Sequence, residues 1–136
     1  MSPIAKAINN PNLILLKNAG ETKIDDKFCL NVLSVFDEEK LSWCEDLDFQ
    51  TYKIASRTVK EDKNLCKKII SKKKRTIISL GMFDYSSKLP FKGKNIEYLY
   101  CVSKYPTPLT DIKMPNFDKS FFKGFSDHTI GIEACI

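Results

Sequence analysis

The chain has no apolar run approaching the roughly 18–20 residues of a membrane-spanning helix. Its start, Met1-Ser2-Pro3-Ile4-Ala5-Lys6, lacks the continuous apolar stretch of a secretory signal. There is no C-x-x-C pair. The five cysteines (Cys29, Cys44, Cys66, Cys101 and Cys135) are odd in number, far apart, and mostly within or beside apolar runs. That usage points to reduced core cysteines rather than disulfides or a zinc site. These absences together lead to the expectation of a soluble, cytoplasmic protein. No low-complexity linker or composition shift marks a second domain, so 136 residues read as one domain or part of one. A hydrophobic content of 43% fits a packed globular chain rather than a disordered one.

The net charge of +5 gathers in Lys67, Lys68, Lys72, Lys73, Lys74 and Arg75. Two accounts fit. Cations near the end of an amphipathic helix carrying Leu65, Cys66, Ile69 and Ile70 suit the helix dipole and a solvated face. A nucleic-acid patch is the other account, and no aromatic residue interleaves these lysines to support it.

Residues 1–27 give no clear element beyond a turn at Asn9-Asn10-Pro11-Asn12 and a short helix pattern from Leu13 to Asn18. From residue 28 the chain alternates. Strands are expected at Phe28 to Ser34, Thr51 to Ala55, Thr76 to Leu80, Ile96 to Val102 and Lys123 to Phe125. Asp37 has the chemistry of an N-cap, with Glu38 and Glu39 in a helix first turn and Leu41, Trp43, Cys44 and Leu47 as apolar contacts. Further helices are expected over Glu61 to Ser71, over Asp111 to Phe122 with a break at Pro115, and from Ile130 onward. Residues 83–95 read as irregular loop. Short apolar strands separated by helices predict an α/β fold with a parallel sheet.

Each strand ends in a polar group: Ser34, Lys53 with Ser56, Ser79, Ser103, and Ser126 with His128. Successive groups lie about 19 to 26 residues apart, the length of one βα unit. Ligands of parallel α/β folds bind at the carboxyl ends of strands, so these side chains could build one polar site. Serine after a strand also caps the next helix, and that account stays open for each serine. Lys53 stands between Tyr52 and Ile54 in an apolar strand; it needs an anionic partner if both faces are covered, or solvent if it is at an edge. The single histidine, His128, follows Ser126 and Asp127 on a turn, a grouping able to hold a metal or an anion.

Four segments carry a resemblance: Tyr52-Lys53-Ile54-Ala55-Ser56, Ile78-Ser79-Leu80-Gly81-Met82, Cys101-Val102-Ser103-Lys104-Tyr105-Pro106-Thr107-Pro108, and Gly124-Phe125-Ser126-Asp127-His128-Thr129-Ile130-Gly131. In order, spacing and placement at strand ends they resemble the N-acetylneuraminate (sialic acid) synthase family, which includes the legionaminic and pseudaminic acid synthases. The resemblance covers roughly residues 28–136.

It implies about five parallel strands of a (β/α)8 TIM barrel. The implied activity condenses phosphoenolpyruvate with an N-acylated amino sugar to a nine-carbon 2-keto sugar acid, releasing phosphate, with a divalent metal (Mn or Mg) assisting. By position, Lys53, Ser56, Ser79 and Ser126 fall where that family contacts phosphoenolpyruvate, and Ser34 at a further hydroxyl position. Ser103 and Tyr105 fall toward the sugar. Lys53 and His128 would be the catalytic side chains, with His128 one of two metal-binding histidines. The residue types suit the chemistry: a compact anion calls for a lysine and several hydroxyl donors, and neutral imidazole suits such a metal. The family's second metal histidine and its antifreeze-like C-terminal domain have no counterpart within residues 1–136. The resemblance therefore implies an incomplete domain, inactive by itself, from a protein expected to be a homodimer. The alternative is a non-catalytic α/β module that binds phosphate or sugar without the chemistry.

Overall fold

A computed structural model describes residues 32–85, 87–131 and 134. Five strands alternate with helices and loops: β1 (Val32–Ser34), α1 (Glu38–Asp46), β2 (Thr51–Ile54), α2 (Ser56–Glu61), α3 (Lys63–Ser71), β3 (Arg75–Ser79), β4 (Ile96–Cys101), a 3-10 turn (Leu109–Asp111) and β5 (Phe122–Ser126). All four strand pairings are parallel, and spatial order follows chain order, β1-β2-β3-β4-β5. No described helix is long and apolar enough to cross a membrane.

Local chemistry sets the helix ends. Asp37 caps α1, its Oδ1 accepting from the Lys40 N–H at 2.8 Å, and Glu38 and Glu39 occupy the first turn. Asp48, at φ 52°, turns the chain back toward β2. The helix expected over Glu61 to Ser71 is α3, and a further helix, α2, directly precedes it. Asp62 breaks the run at φ −135° and ψ 79°, and its Oδ1 accepts from the Leu65 N–H at 2.8 Å, so it caps α3 while α2 ends against it. The α2 helix starts at Ser56, five residues before the expected helix start.

The core lies between the sheet and these helices. Leu33, Tyr52, Ile54 and Ile78 from the strands meet Leu41, Cys44, Leu65, Cys66 and Ile69 from the helices, all 5% exposed or less. Cys44, Cys66 and Cys101 are free and buried; Cys29 and Cys135 lie outside the described residues. Burial pushes the Cys44 thiol up to about 12 and that of Cys66 to about 11.

The connections into β4 and β5 differ from the helical units before them. The helix expected over Asp111 to Phe122 is absent; only the 3-10 turn Leu109–Asp111 forms. Pro115 removes a donor and restricts Met114 before it, so an α-helix cannot run through this stretch. Tyrosines of β4 hold the loops instead. The Tyr98 hydroxyl donates to the Phe91 carbonyl at 2.7 Å and accepts from the Phe91 N–H at 3.2 Å. The Tyr100 hydroxyl accepts from the Lys113 N–H at 2.9 Å. Phe83, Leu89, Phe91, Ile112 and Phe117 then cover the core in place of helix side chains. At the other end of the chain, Ile130 and Gly131 form bends rather than helix, and Gly131 has φ 84°. Most of the helix expected beyond them, like Phe28 to Leu30 of the first strand and all of residues 1–27, lies outside the described residues.

Four of the six cations of the basic cluster are ion-paired, one of them, Lys68, on α3 and three at or beyond its C-terminus. Lys68 meets Glu38, Lys72 meets Glu45, and the Lys74 Nζ lies 2.9 Å from Asp48 Oδ1. Arg75 grips Glu97 with two hydrogen bonds of 3.1 and 2.7 Å.

Candidate functional site

Strand register decides which side chains share the face opposite the helices. Ser34 is in register with Lys53, Lys53 with Ile77, Ser79 with Leu99, and Cys101 with Ser126. Because side chains alternate along a strand, Ser34, Lys53, Ser79, Cys101 and Ser126 belong to one face. A register shift between Tyr98 and Leu99 makes this true for β5. Tyr98 pairs with Phe122 and Leu99 with Gly124, so Lys123 is an extra residue. This bulge lets Phe122 pack into the core while Ser126 takes the other face.

The centre of the site is a contact between distant strands. Lys53 Nζ lies 3.4 Å from Ser126 Oγ. Three strand spacings of about 4.8 Å separate β2 from β5 in a flat sheet, or about 14 Å. A lysine side chain does not bridge that gap on a flat surface, so the sheet is curled toward this face, as a barrel wall is.

Ser79 ends β3 at 3% exposure, and its Oγ has no described hydrogen-bond partner. Ser56 Oγ accepts from the Gly81 N–H at 2.8 Å, which ties the start of α2 to the end of β3. It is the first residue of α2, after an N-cap at Ala55, so it does not cap its own helix. Its hydroxyl proton stays available as a donor. Gly81 is required by close approach: a Cβ there would collide with Ser103 Oγ and lie 3.0 Å from Cys101 Sγ. Ser34 is brought near by register alone.

A second group forms around His128. Its ring stacks on Tyr105 with centroids 4.2 Å apart and planes at 28°. The Tyr105 hydroxyl lies 3.3 Å from Nε2, and the Val102 carbonyl 3.0 Å from Nδ1. Tyr105, expected on the sugar side, is therefore packed against the histidine, at 77% exposure. Partial burial of its hydroxyl end, with Cys101 nearby, holds its pKa above the usual phenol value. The peptide bond between Tyr105 and Pro106 is cis. Asp127 holds the turn, accepting from the Thr129 N–H at 2.9 Å and from its hydroxyl at 3.1 Å.

Two participants escape a reading of the sequence. Cys101 reads as a core cysteine, yet its Sγ lies 3.7 Å from His128 Nδ1; only strand parity relative to Leu99 signals this. Thr107 bonds to the His128 backbone, and no sequence signal marks it. For a divalent metal, the described residues offer one imidazole and no group of three or more potential ligands. They do not by themselves fit such an ion.

The comparisons with known proteins agree with the fold. A crystal structure of N-acetylneuraminic acid (sialic acid) synthetase from Leptospira borgpetersenii serovar Hardjo-bovis, in complex with citrate, is similar in fold, with a TM-score of 0.58 at 24% identity. The likeness covers 74% of this chain and 39% of that one, so the chain spans about two fifths of the synthetase's length. None of the curated proteins compared with the chain matches it. The family model described as the NeuB family matches residues 21–136, beginning upstream of the segment that carries the resemblance in sequence. Five parallel strands in chain order, with polar side chains at their carboxyl ends, are the corresponding stretch of barrel, and the chain belongs to the NeuB family.

Proposed function

We propose that the chain binds phosphoenolpyruvate at the carboxyl ends of β2, β3 and β5. On this reading it takes part in condensing phosphoenolpyruvate with an N-acylated amino sugar to a nine-carbon 2-keto sugar acid. The contact of Lys53 Nζ with Ser126 Oγ is the observation that supports this most. A lysine whose partner is a neutral hydroxyl keeps its charge for an incoming anion, and charge-assisted bonds to phosphate or carboxylate are the strong ones. Ser79 Oγ, buried and without a described partner, is a donor waiting for an acceptor.

In the proposed reaction the enol carbon of phosphoenolpyruvate forms a bond to the sugar aldehyde carbon, and the aldehyde oxygen takes up a proton. Water oxygen bonds to the other alkene carbon and becomes the keto oxygen, its two protons passing to the aldehyde oxygen and to the departing phosphate. The bond from that carbon to the phosphate oxygen breaks, and phosphate leaves with the electron pair. Lys53, Ser56, Ser79 and Ser126, with Ser34 beside them, balance the charge of the anion and orient it. Ser103 and Tyr105 border the acceptor sugar. His128 would supply manganese or magnesium with one of the several ligands such an ion needs. A cytoplasmic location and a homodimer go with this reading.

Calorimetric titration with phosphoenolpyruvate tests it. Wild type should bind, Lys53→Ala should weaken binding by roughly tenfold to a hundredfold, as for a lost charged hydrogen bond, and Ser103→Ala should weaken it less. No binding by wild type, or equal losses in the two variants, would sink the assignment. Binding that ignores both manganese and His128→Ala would favour the non-catalytic module.

A further inference from the structure

We propose that Thr107 is a positioning residue for His128: together with the Val102 carbonyl it fixes the imidazole as the Nδ1–H tautomer and leaves the lone pair on Nε2. The Thr107 N–H donates to the His128 carbonyl at 2.9 Å. The Thr107 hydroxyl donates to the Lys104 carbonyl at 2.8 Å, with the Val102 carbonyl 3.3 Å away. The Lys104 N–H donates to that same Val102 carbonyl at 2.9 Å. The Val102 oxygen in turn lies 3.0 Å from His128 Nδ1.

The contacts close a circuit from the His128 backbone, through Thr107 and the Val102–Lys104 turn, back to the His128 ring. A carbonyl oxygen can only accept, so Nδ1 must carry the proton in this contact. In neutral imidazole the other nitrogen then holds the lone pair, with the Tyr105 hydroxyl 3.3 Å away. Thr107 is 4% exposed, so water does not compete for its hydroxyl. The Thr107 amide thus holds the His128 backbone directly, while its hydroxyl holds the turn whose Val102 carbonyl meets the ring. Groups that hold the far nitrogen of an imidazole set the basicity and aim of the near one. The bearing on catalysis rests on the synthase reading; the tautomer does not.

His128 is the single histidine of the sequence, so imidazole nitrogen NMR of the 136-residue chain reports it without ambiguity. At alkaline pH, where imidazole is neutral, wild type should show the Nδ1–H form. Thr107→Val keeps the branched shape and the amide but loses the hydroxyl, and should give a mixture of tautomers. Thr107→Ser keeps the hydroxyl and should restore the single form. A wild-type Nε2–H form overturns the proposal. So does a Thr107→Val spectrum equal to wild type, or a Thr107→Ser spectrum with mixed tautomers. If Thr107→Val does not fold, the wild-type and Thr107→Ser spectra decide alone: Nδ1–H in both supports the proposal, and any other result overturns it. No substrate enters the measurement, so failed phosphoenolpyruvate binding strikes the synthase reading only.

Discussion

The two faces of the sheet are built from alternate residues of the same strands and have opposite chemistry. On β2, Tyr52 and Ile54 turn toward the helices with no exposed surface, while Lys53 between them is half-buried on the other face. On β3, Ile78 is fully buried against the helices while Ser79 joins the polar face. The helix-facing layer is closed by apolar contact. The opposite layer ends in an open set of hydroxyls around one amine at the carboxyl end of the strands, and in a matched ion pair, Arg75 with Glu97, at the amino end. Adjacent residues thus do separate jobs, and a substitution should disturb stability or binding according to the parity of its position.

The sharpest way to break this division is in the core. Ile78→Ala should cost about 2–5 kcal/mol, the range for emptying a buried aliphatic site, measured as a lowered urea midpoint. A variant of unchanged stability would show that the helix-facing layer is not what holds the sheet.

A smaller effect compares the faces directly, because each carries one buried hydroxyl without a described partner: Tyr52 Oη toward the helices and Ser79 Oγ on the other side. Removing such a group relieves a desolvation cost of about 1 kcal/mol. Tyr52→Phe and Ser79→Ala should therefore both raise the melting temperature. Only Ser79→Ala should lose the further rise that phosphoenolpyruvate gives. Matching ligand responses would erase the distinction between the faces.

The least effect belongs to the half-exposed pair at the amino end. The Arg75 guanidinium beside Glu97 holds its carboxyl below the usual carboxylate range. Stability from that depressed value is present above the ordinary pKa of 4.5 and is lost as pH falls through the lower folded value. Solvent and salt screening limit it to a few tenths of a kcal/mol. Glu97→Gln should lower the urea midpoint slightly at pH 7 in low salt, and by less as the pH is taken below 4.5.

Period and capping chemistry made the apolar layer legible in the sequence. The β strands stand out as short apolar runs, and Asp37 before Glu38 and Glu39 announces α1. Asp62 reads as a helix residue yet caps α3, so the helix begins two residues after the expected start at Glu61. Pro115 outweighs the helical pattern around it, and a tyrosine anchor, Tyr100 to the Lys113 N–H, holds the loop instead. The polar strand ends could be read because each stands where an apolar run stops. The face that Ser126 takes could not be read, because the extra residue at Lys123 reverses the parity of β5 and alternation alone would put Ser126 with Phe122. The bonds around His128 were hidden for a different reason: they run through backbone carbonyls and amides, which every residue has.

The bridge from Lys53 to Ser126 also has a meaning for how the chain closes on itself. Its ends are 73 residues apart. An anion gripped by both groups would act as a reversible crosslink around that long loop, opposing the entropy released when the chain opens. Such a ligand would be a fastener as well as a reactant, resisting separation of the second strand from the fifth for as long as it stays bound.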